Sequence, residues 1–147
     1  MRYTKYPTRD ARKNYFLVPN EVFDLGLNYR EIAVYSFLLR CENRETYQCW
    51  PSYTTIGQAI GMSANTVCKY VCSLEEKGFI RTEPTQVRYR DGRKMNGTLR
   101  YTILPIQQPI NANYDRQFRQ LDEAKERQRL AAQLNETDHR EENADAG

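Results

Sequence analysis

Residues 50–80 read Trp50-Pro-Ser-Tyr-Thr-Thr-Ile-Gly-Gln-Ala-Ile-Gly-Met-Ser-Ala-Asn-Thr-Val-Cys-Lys-Tyr-Val-Cys-Ser-Leu-Glu-Glu-Lys-Gly-Phe-Ile80. The punctuation of this run decides the fold. Ser52 is a helix N-cap candidate, and Ile56 and Ile60 put one apolar face on a helix of roughly two turns. Gly57 on that face allows a neighbouring helix to come close, and Gly61 supplies the positive φ that ends the helix. Ser63 caps a second helix over Ala64 to Lys77, with Val67, Val71 and Leu74 at i, i+4 and i+7 and Gly78 as its stop.

Upstream, Tyr15-Phe-Leu-Val18 closes at Pro19, and a short helical piece is expected around Val22, Phe23 and Leu25. Asn28 with Glu31 three residues on reads as a capping box, opening a helix to about Cys41 with Ile32, Tyr35 (or Ser36) and Leu39 at helical spacing. Downstream of Gly78 the period falls from about 3.6 to 2. Phe79–Glu83 and the alternating Leu99, Tyr101 and Ile103 read as two strands of a hairpin. Either Asp91-Gly92 or Asn96-Gly97 can close it. The fold class expected is α+β and mostly helical, with a two-stranded β-hairpin after the helix pair and a charged C-terminal helix.

The chain has 147 residues, one domain's worth, and a formal net charge of +3 that conceals a split. Residues 1–110 hold 16 Lys and Arg against 10 Asp and Glu, whereas residues 111–147 hold 6 against 9. Every Val, Ile, Met, Cys and Trp lies in the first part. The divisions expected are a basic flexible arm over 1–14, a globular domain over 15–105 and a proline-containing linker over 106–112. An amphipathic charged helix over 113–135 and a disordered acidic tail over 136–147 follow. No apolar run matches a membrane span or a signal peptide, so a cytoplasmic protein without membrane contact is expected.

Catalysis is narrowed by the single histidine, His139, in the polar tail. Paired-His metal sites and most His-based acid–base schemes need more. Eleven tyrosines suggest a strand-cleaving enzyme, but such chemistry generally requires a metal or an Arg/His cluster that one His does not furnish. The four cysteines, Cys41, Cys49, Cys68 and Cys72, lack the close pair spacing of a zinc ribbon or finger, although Cys68 and Cys72 are i, i+4 on one helix. Reduced small side chains are the expected reading, with redox sensing the alternative. No enzyme, cofactor or metal is expected.

The run from Trp50 to Ile80, with Phe16-Leu-Val-Pro-Asn20 and Gly26-Leu27 through Leu39 before it, resembles the winged helix-turn-helix domains of plasmids, phages and conjugative elements. Relatives of the N-terminal domains of replication initiators are among these. The resemblance covers about residues 15–104. It implies that the second helix of the pair lies in the DNA major groove. With Val67, Val71 and Leu74 inward, Asn65, Thr66 and Lys69 face outward, with Cys68 and Ser73 as further candidates. Asn65 suits a bidentate pair with adenine, and Lys69 guanine or a phosphate.

Ser52, Tyr53 and Thr54, and Ser63 at the next helix start, are candidate phosphate contacts, although capping alone accounts for Ser52 and Ser63. Arg88, Arg90, Arg93 and Lys94 make the hairpin basic, either to straddle a phosphate backbone or to protect an edge from aggregation. The function expected is sequence-specific binding of double-stranded DNA in transcriptional regulation of a mobile element. The alternatives are an accessory or initiator protein at a replication or transfer origin, and a winged helix used for protein–protein assembly. The C-terminal helix has a short Tyr114, Phe118, Leu121 stripe, with Leu130 and Leu134 out of step. It is open to packing on its own domain, homodimerisation, a replication or transfer partner, or a solvated helix.

Overall fold

The computed structural model describes residues 14–145, and the basic arm falls almost wholly outside them. A 3-10 turn over Asn20–Phe23 precedes α1 (Tyr29–Cys41), β1 (Gln48–Cys49), α2 (Tyr53–Ile60) and α3 (Ala64–Glu76). Then come β2 (Ile80–Glu83), β3 (Gln86–Arg88), β4 (Lys94–Asn96), β5 (Arg100–Ile103) and α4 (Gln107–Asp145). The architecture is an α+β winged helix.

The Asn28 capping box forms: the side chain accepts from the Arg30 and Glu31 N–H groups, and Glu31 accepts from the Asn28 N–H. The buried face of α1 is Glu31, Val34, Tyr35, Leu38 and Leu39, so the inward stripe is rotated from the expected Ile32 register. Glu31 can stand on that face because α3 supplies its partners. Its carboxylate accepts from Ser73 Oγ at 2.8 Å and from Lys77 Nζ at 2.9 Å. Around this link the core closes on Leu38, Ile56, Val67, Val71, Leu74, Phe79 and Tyr101, with the Tyr35 and Phe79 rings edge to face at 5.2 Å.

The sheet differs from a plain two-stranded hairpin. Its antiparallel order is β1-β5-β2, with Cys49 opposite Tyr101 and Ile80 opposite Ile103. A two-residue strand such as β1 leaves too short a sequence for alternation to register. Beyond Glu83 the hairpin continues as a second ladder, β3 with β4. Asp91-Gly92 closes it: the Gly92 N–H donates to the Tyr89 carbonyl, and Gly92 takes φ +86°, which a Cβ would disfavour. Asn96-Gly97 lies instead at the end of β4, where the Gly97 N–H donates to the Thr85 carbonyl.

The chain divides into two compact units between Pro109 and Ile110. The stretch expected as a linker, 106–112, is helical from Gln107 onward. Pro109 is the third residue of α4, in a first turn where backbone N–H groups have no intrahelical acceptor, so its missing N–H costs no helix bond. The expected acidic tail is helical to Asp145, because no Gly or Pro interrupts residues 110–146 and Ala, Glu and Arg sustain the helix. At ~1.5 Å per residue, α4 is about 58 Å long. No helix among the described residues is long and apolar enough to cross a membrane.

Candidate nucleic-acid interface

The α2–α3 pair is joined by Gly61-Met62-Ser63, with Gly61 at φ +76°. Gly57 makes the corner tight. A Cβ built there would lie 2.2 Å from the Met62 carbonyl oxygen and 3.5 Å from Val67 Cγ2 of α3, so the turn is the closest neighbour and the next helix comes close as well. Ser52 and Ser63 cap the two helices, accepting from the Thr55 and Thr66 N–H groups at 3.0 and 3.3 Å. Their hydroxyls also pair with Thr55 Oγ1 and Thr66 Oγ1, both at 2.8 Å. Each hydroxyl thus has a local structural role, and Thr54 stands exposed beside the first cap.

On α3, Val67, Tyr70, Val71 and Leu74 are buried. The opposite stripe, Asn65, Lys69, Cys72 and Glu76, is exposed at helical spacing. Asn65 and Lys69 therefore share one accessible face in the N-terminal half of the helix, with Lys69 Nζ 5.7 Å from the Tyr70 ring centroid. Two expected site residues point elsewhere. Ser73 gives its hydroxyl to Glu31 on α1, because its position on α3 faces that helix. Tyr53 is half-buried with its hydroxyl toward Cys68, and burial together with that contact pushes its pKa up to about 12.

In the β3–β4 ladder Arg88 stands directly opposite Lys94, so the two side chains share a face. Val87 and Met95, opposite each other, take the other face and are about half exposed. Arg90 is exposed in the turn. Arg93 is held by Asp91, whose carboxylate accepts from its backbone N–H at 3.1 Å and from Nε at 2.8 Å. Like charges opposed across a ladder cost stability, and an anion lying along this face would relieve the cost. Arg88 and Lys94 are thus the basic pair of the tip, while Arg93 is partly neutralised.

Arg30 is the residue that reading the sequence missed. Its guanidinium donates to the Tyr29 hydroxyl at 2.9 Å and to the Tyr70 hydroxyl at 3.2 Å. It lines a groove with Gly61, Met62, Ser63 and Thr66, beside the start of α3. The Asn28 cap marks the helix start, but nothing local reveals Tyr70, 40 residues away.

Of the cysteines, Cys49 is buried, with its thiol pushed up to about 12 by burial and by nearby Cys41 and Glu42. Cys41 and Cys72 are exposed and also raised, burial of the thiol being the largest cause in each. Raised thiols are poor nucleophiles at neutral pH. Among the described residues no three His, Cys, Asp or Glu side chains are grouped to hold a metal.

Residues 25–80 match the family described as "Helix-turn-helix domain", from the turn before α1 to the start of β2. LexA repressors of Staphylococcus epidermidis and Staphylococcus aureus are each 36% identical over 63 residues. The match covers 42% of this chain and 30% of theirs, so it spans less than a third of those repressors. A solved structure, "Possible transcriptional regulator from Methanosarcina mazei Go1", aligns over 76% of this chain and 98% of its own, with a TM-score of 0.42 and 20% identity.

Proposed function

We propose that this chain is a non-catalytic, sequence-specific double-stranded DNA-binding protein that regulates transcription of a mobile genetic element. The observation that carries the proposal is the exposed Asn65–Lys69 face of α3, held at the tight Gly57–Met62 corner of a helix-turn-helix. Laid in a major groove, Asn65 offers an amide for the N6/N7 edge of adenine, and Lys69 a donor for guanine O6 or N7. Arg30, fixed by two tyrosine hydroxyls, and the Arg88/Lys94 face of the hairpin take flanking phosphates. The match to a helix-turn-helix domain supports the DNA-binding part. The motif resemblance of residues 50–80 supports the mobile-element setting.

The proposal includes a second copy as partner. Tyr114, Phe118 and Leu121 are exposed at helical spacing near the start of α4, and pairing two such stripes buries them. Two domains then engage paired half-sites, as dimeric helix-turn-helix proteins do.

Enrichment of duplexes from a random pool by the full chain tests the function. The proposal expects one motif of a few base pairs, or its inverted repeat, to emerge reproducibly. Retention of duplexes without sequence bias would overturn the sequence-specific reading.

A further inference from the structure

Cys68 and Cys72 stand one helical turn apart on α3. Cys72 is exposed on the stripe that carries Asn65 and Lys69, and Cys68 is partly buried beside it. Their thiols are hydrogen-bonded to each other, and the Tyr53 hydroxyl at the start of α2 is hydrogen-bonded to Cys68 as well. The two sulfurs therefore converge, and one of them is open to solvent. The proposed base contacts use neither thiol. The other cysteine pair is poorer, because Cys49 is buried and its thiol donates to the Leu38 carbonyl at 3.8 Å.

Helix geometry separates the ways in which Cys68 and Cys72 can be joined. A disulfide needs Cβ atoms about 3.5–4.5 Å apart, whereas i, i+4 positions on a helix hold theirs at about 5–6 Å. Direct oxidation would have to bend α3 around Val71, which is locked in the core. An atom inserted between the sulfurs adds a bond length to the span and closes it with α3 intact. Two-coordinate soft metal ions prefer a linear arrangement, which would drive the converging sulfurs apart. Trivalent arsenic is pyramidal and keeps its two sulfurs close. Charge points the same way. Burial, Cys68 itself and the carboxylates of Glu75 and Glu76 favour the neutral form of the Cys72 thiol, so an uncharged product suits this setting better than a pair of thiolates around a monovalent ion.

We propose that Cys68 and Cys72 form a dithiol site for a trivalent arsenical, whose arsenic bridges the two sulfurs on the exposed stripe of α3. The step balances without an oxidant: R–As(OH)2 and two thiols give R–As bound to both sulfurs and two waters. Two As–O bonds break, two As–S bonds form, and the thiol protons leave on the displaced hydroxides. Arsenic stays trivalent and the product is uncharged. The group R then stands on the stripe of Asn65 and Lys69, so occupancy and DNA binding exclude each other. That consequence rests on the proposed base readout by α3, whereas the site itself does not.

The probe is phenylarsine oxide, which hydrates to the R–As(OH)2 form. It is added in stoichiometric amount to the full chain, with excess glutathione as a monothiol competitor. Iodoacetamide at mildly alkaline pH then labels accessible thiols, and digestion with mass spectrometry reads each cysteine. Cys72 should be labelled in the free chain and protected in the treated one, with the exposed Cys41 labelled in both. Cys72→Ser should weaken arsenical binding by at least about a hundredfold, because the second As–S bond is no longer intramolecular, and Cys41→Ser should not. Binding to an enriched duplex should be lost on treatment. Unprotected Cys72 in the treated chain, or full binding retained by Cys72→Ser, would overturn the site. The labelling uses the unaltered chain, so it decides the matter even if Cys72→Ser does not fold. Protection with undiminished duplex binding would overturn the coupling to DNA. Failure to select any duplex would count against the proposed function and leave the labelling result standing.

Discussion

Lys77 Nζ lies 2.9 Å from both carboxylate oxygens of Glu31, joining the end of α3 to the first turn of α1. Glu31 is almost wholly buried, whereas the Lys77 side chain is about a quarter exposed. The pair sets the position of α3 from the side opposite its exposed stripe. Replacing Lys77 by Met should strand the carboxylate with only Ser73 and the Asn28 N–H. That should destabilise the chain by about 3 kcal/mol, the low end for a broken buried pair. The urea unfolding midpoint measures it.

The same pair gives a pH dependence with a definite sign. Burial alone would raise the Glu31 carboxyl pKa, but hydrogen bonds from Lys77, Ser73 and the Asn28 N–H outweigh it and hold it below its ordinary value of 4.5. A depressed carboxyl contributes stability that is present above the unfolded pKa and lost as pH falls through the folded one. Unfolding midpoints should therefore drop below about pH 4.5 in the native chain. A Glu31→Gln, Lys77→Met chain should show a shallower fall over that window, and an equal fall would remove Glu31 from the account.

Gly57→Ala should destabilise the chain by about 1–3 kcal/mol, because the new methyl meets the Met62 carbonyl at 2.2 Å and backbone must shift to admit it. Since that carbonyl sits in the turn leading to α3, specific DNA affinity should fall as well. Unchanged thermal stability would show that the corner has slack.

Arg88→Ala with Lys94→Ala should weaken binding to specific and random duplexes alike. The log–log salt slope should flatten by ~0.9 for each phosphate that the hairpin no longer neutralises. Removing two like charges from one face should leave fold stability unchanged or slightly raised. Arg93→Ala, already paired with Asp91, should cost less in the same assay. A fall in affinity with a fixed slope would mean that the hairpin tip does not neutralise backbone charge.

The helix caps were legible because they are local: Asn28 with Glu31, Ser52, Ser63 and Gly61 announce helix ends within three or four residues. The buried Val67, Val71, Leu74 stripe was legible from period alone. What local sequence concealed are pairings across distance. Ser73 looks like a free helix-surface serine until Glu31 is folded against it, 42 residues away. Arg30 gains its place from Tyr70, and β1 is a strand only because β5 lies alongside. The linker was misread for another reason: a proline in a helix's first turn costs no hydrogen bond, so Pro109 signals a helix start as readily as a break.

The measurement that bears most directly on the account is the ratio of affinities for an enriched duplex and a scrambled one, in the native chain and in Asn65→Ala and Lys69→Ala. Both side chains are exposed, so the fold should be retained. If α3 reads base edges, each substitution should lower affinity for the enriched duplex by about 1–3 kcal/mol while leaving the scrambled duplex nearly unaffected. Equal losses on both duplexes, or none on either, would contradict base readout by this helix.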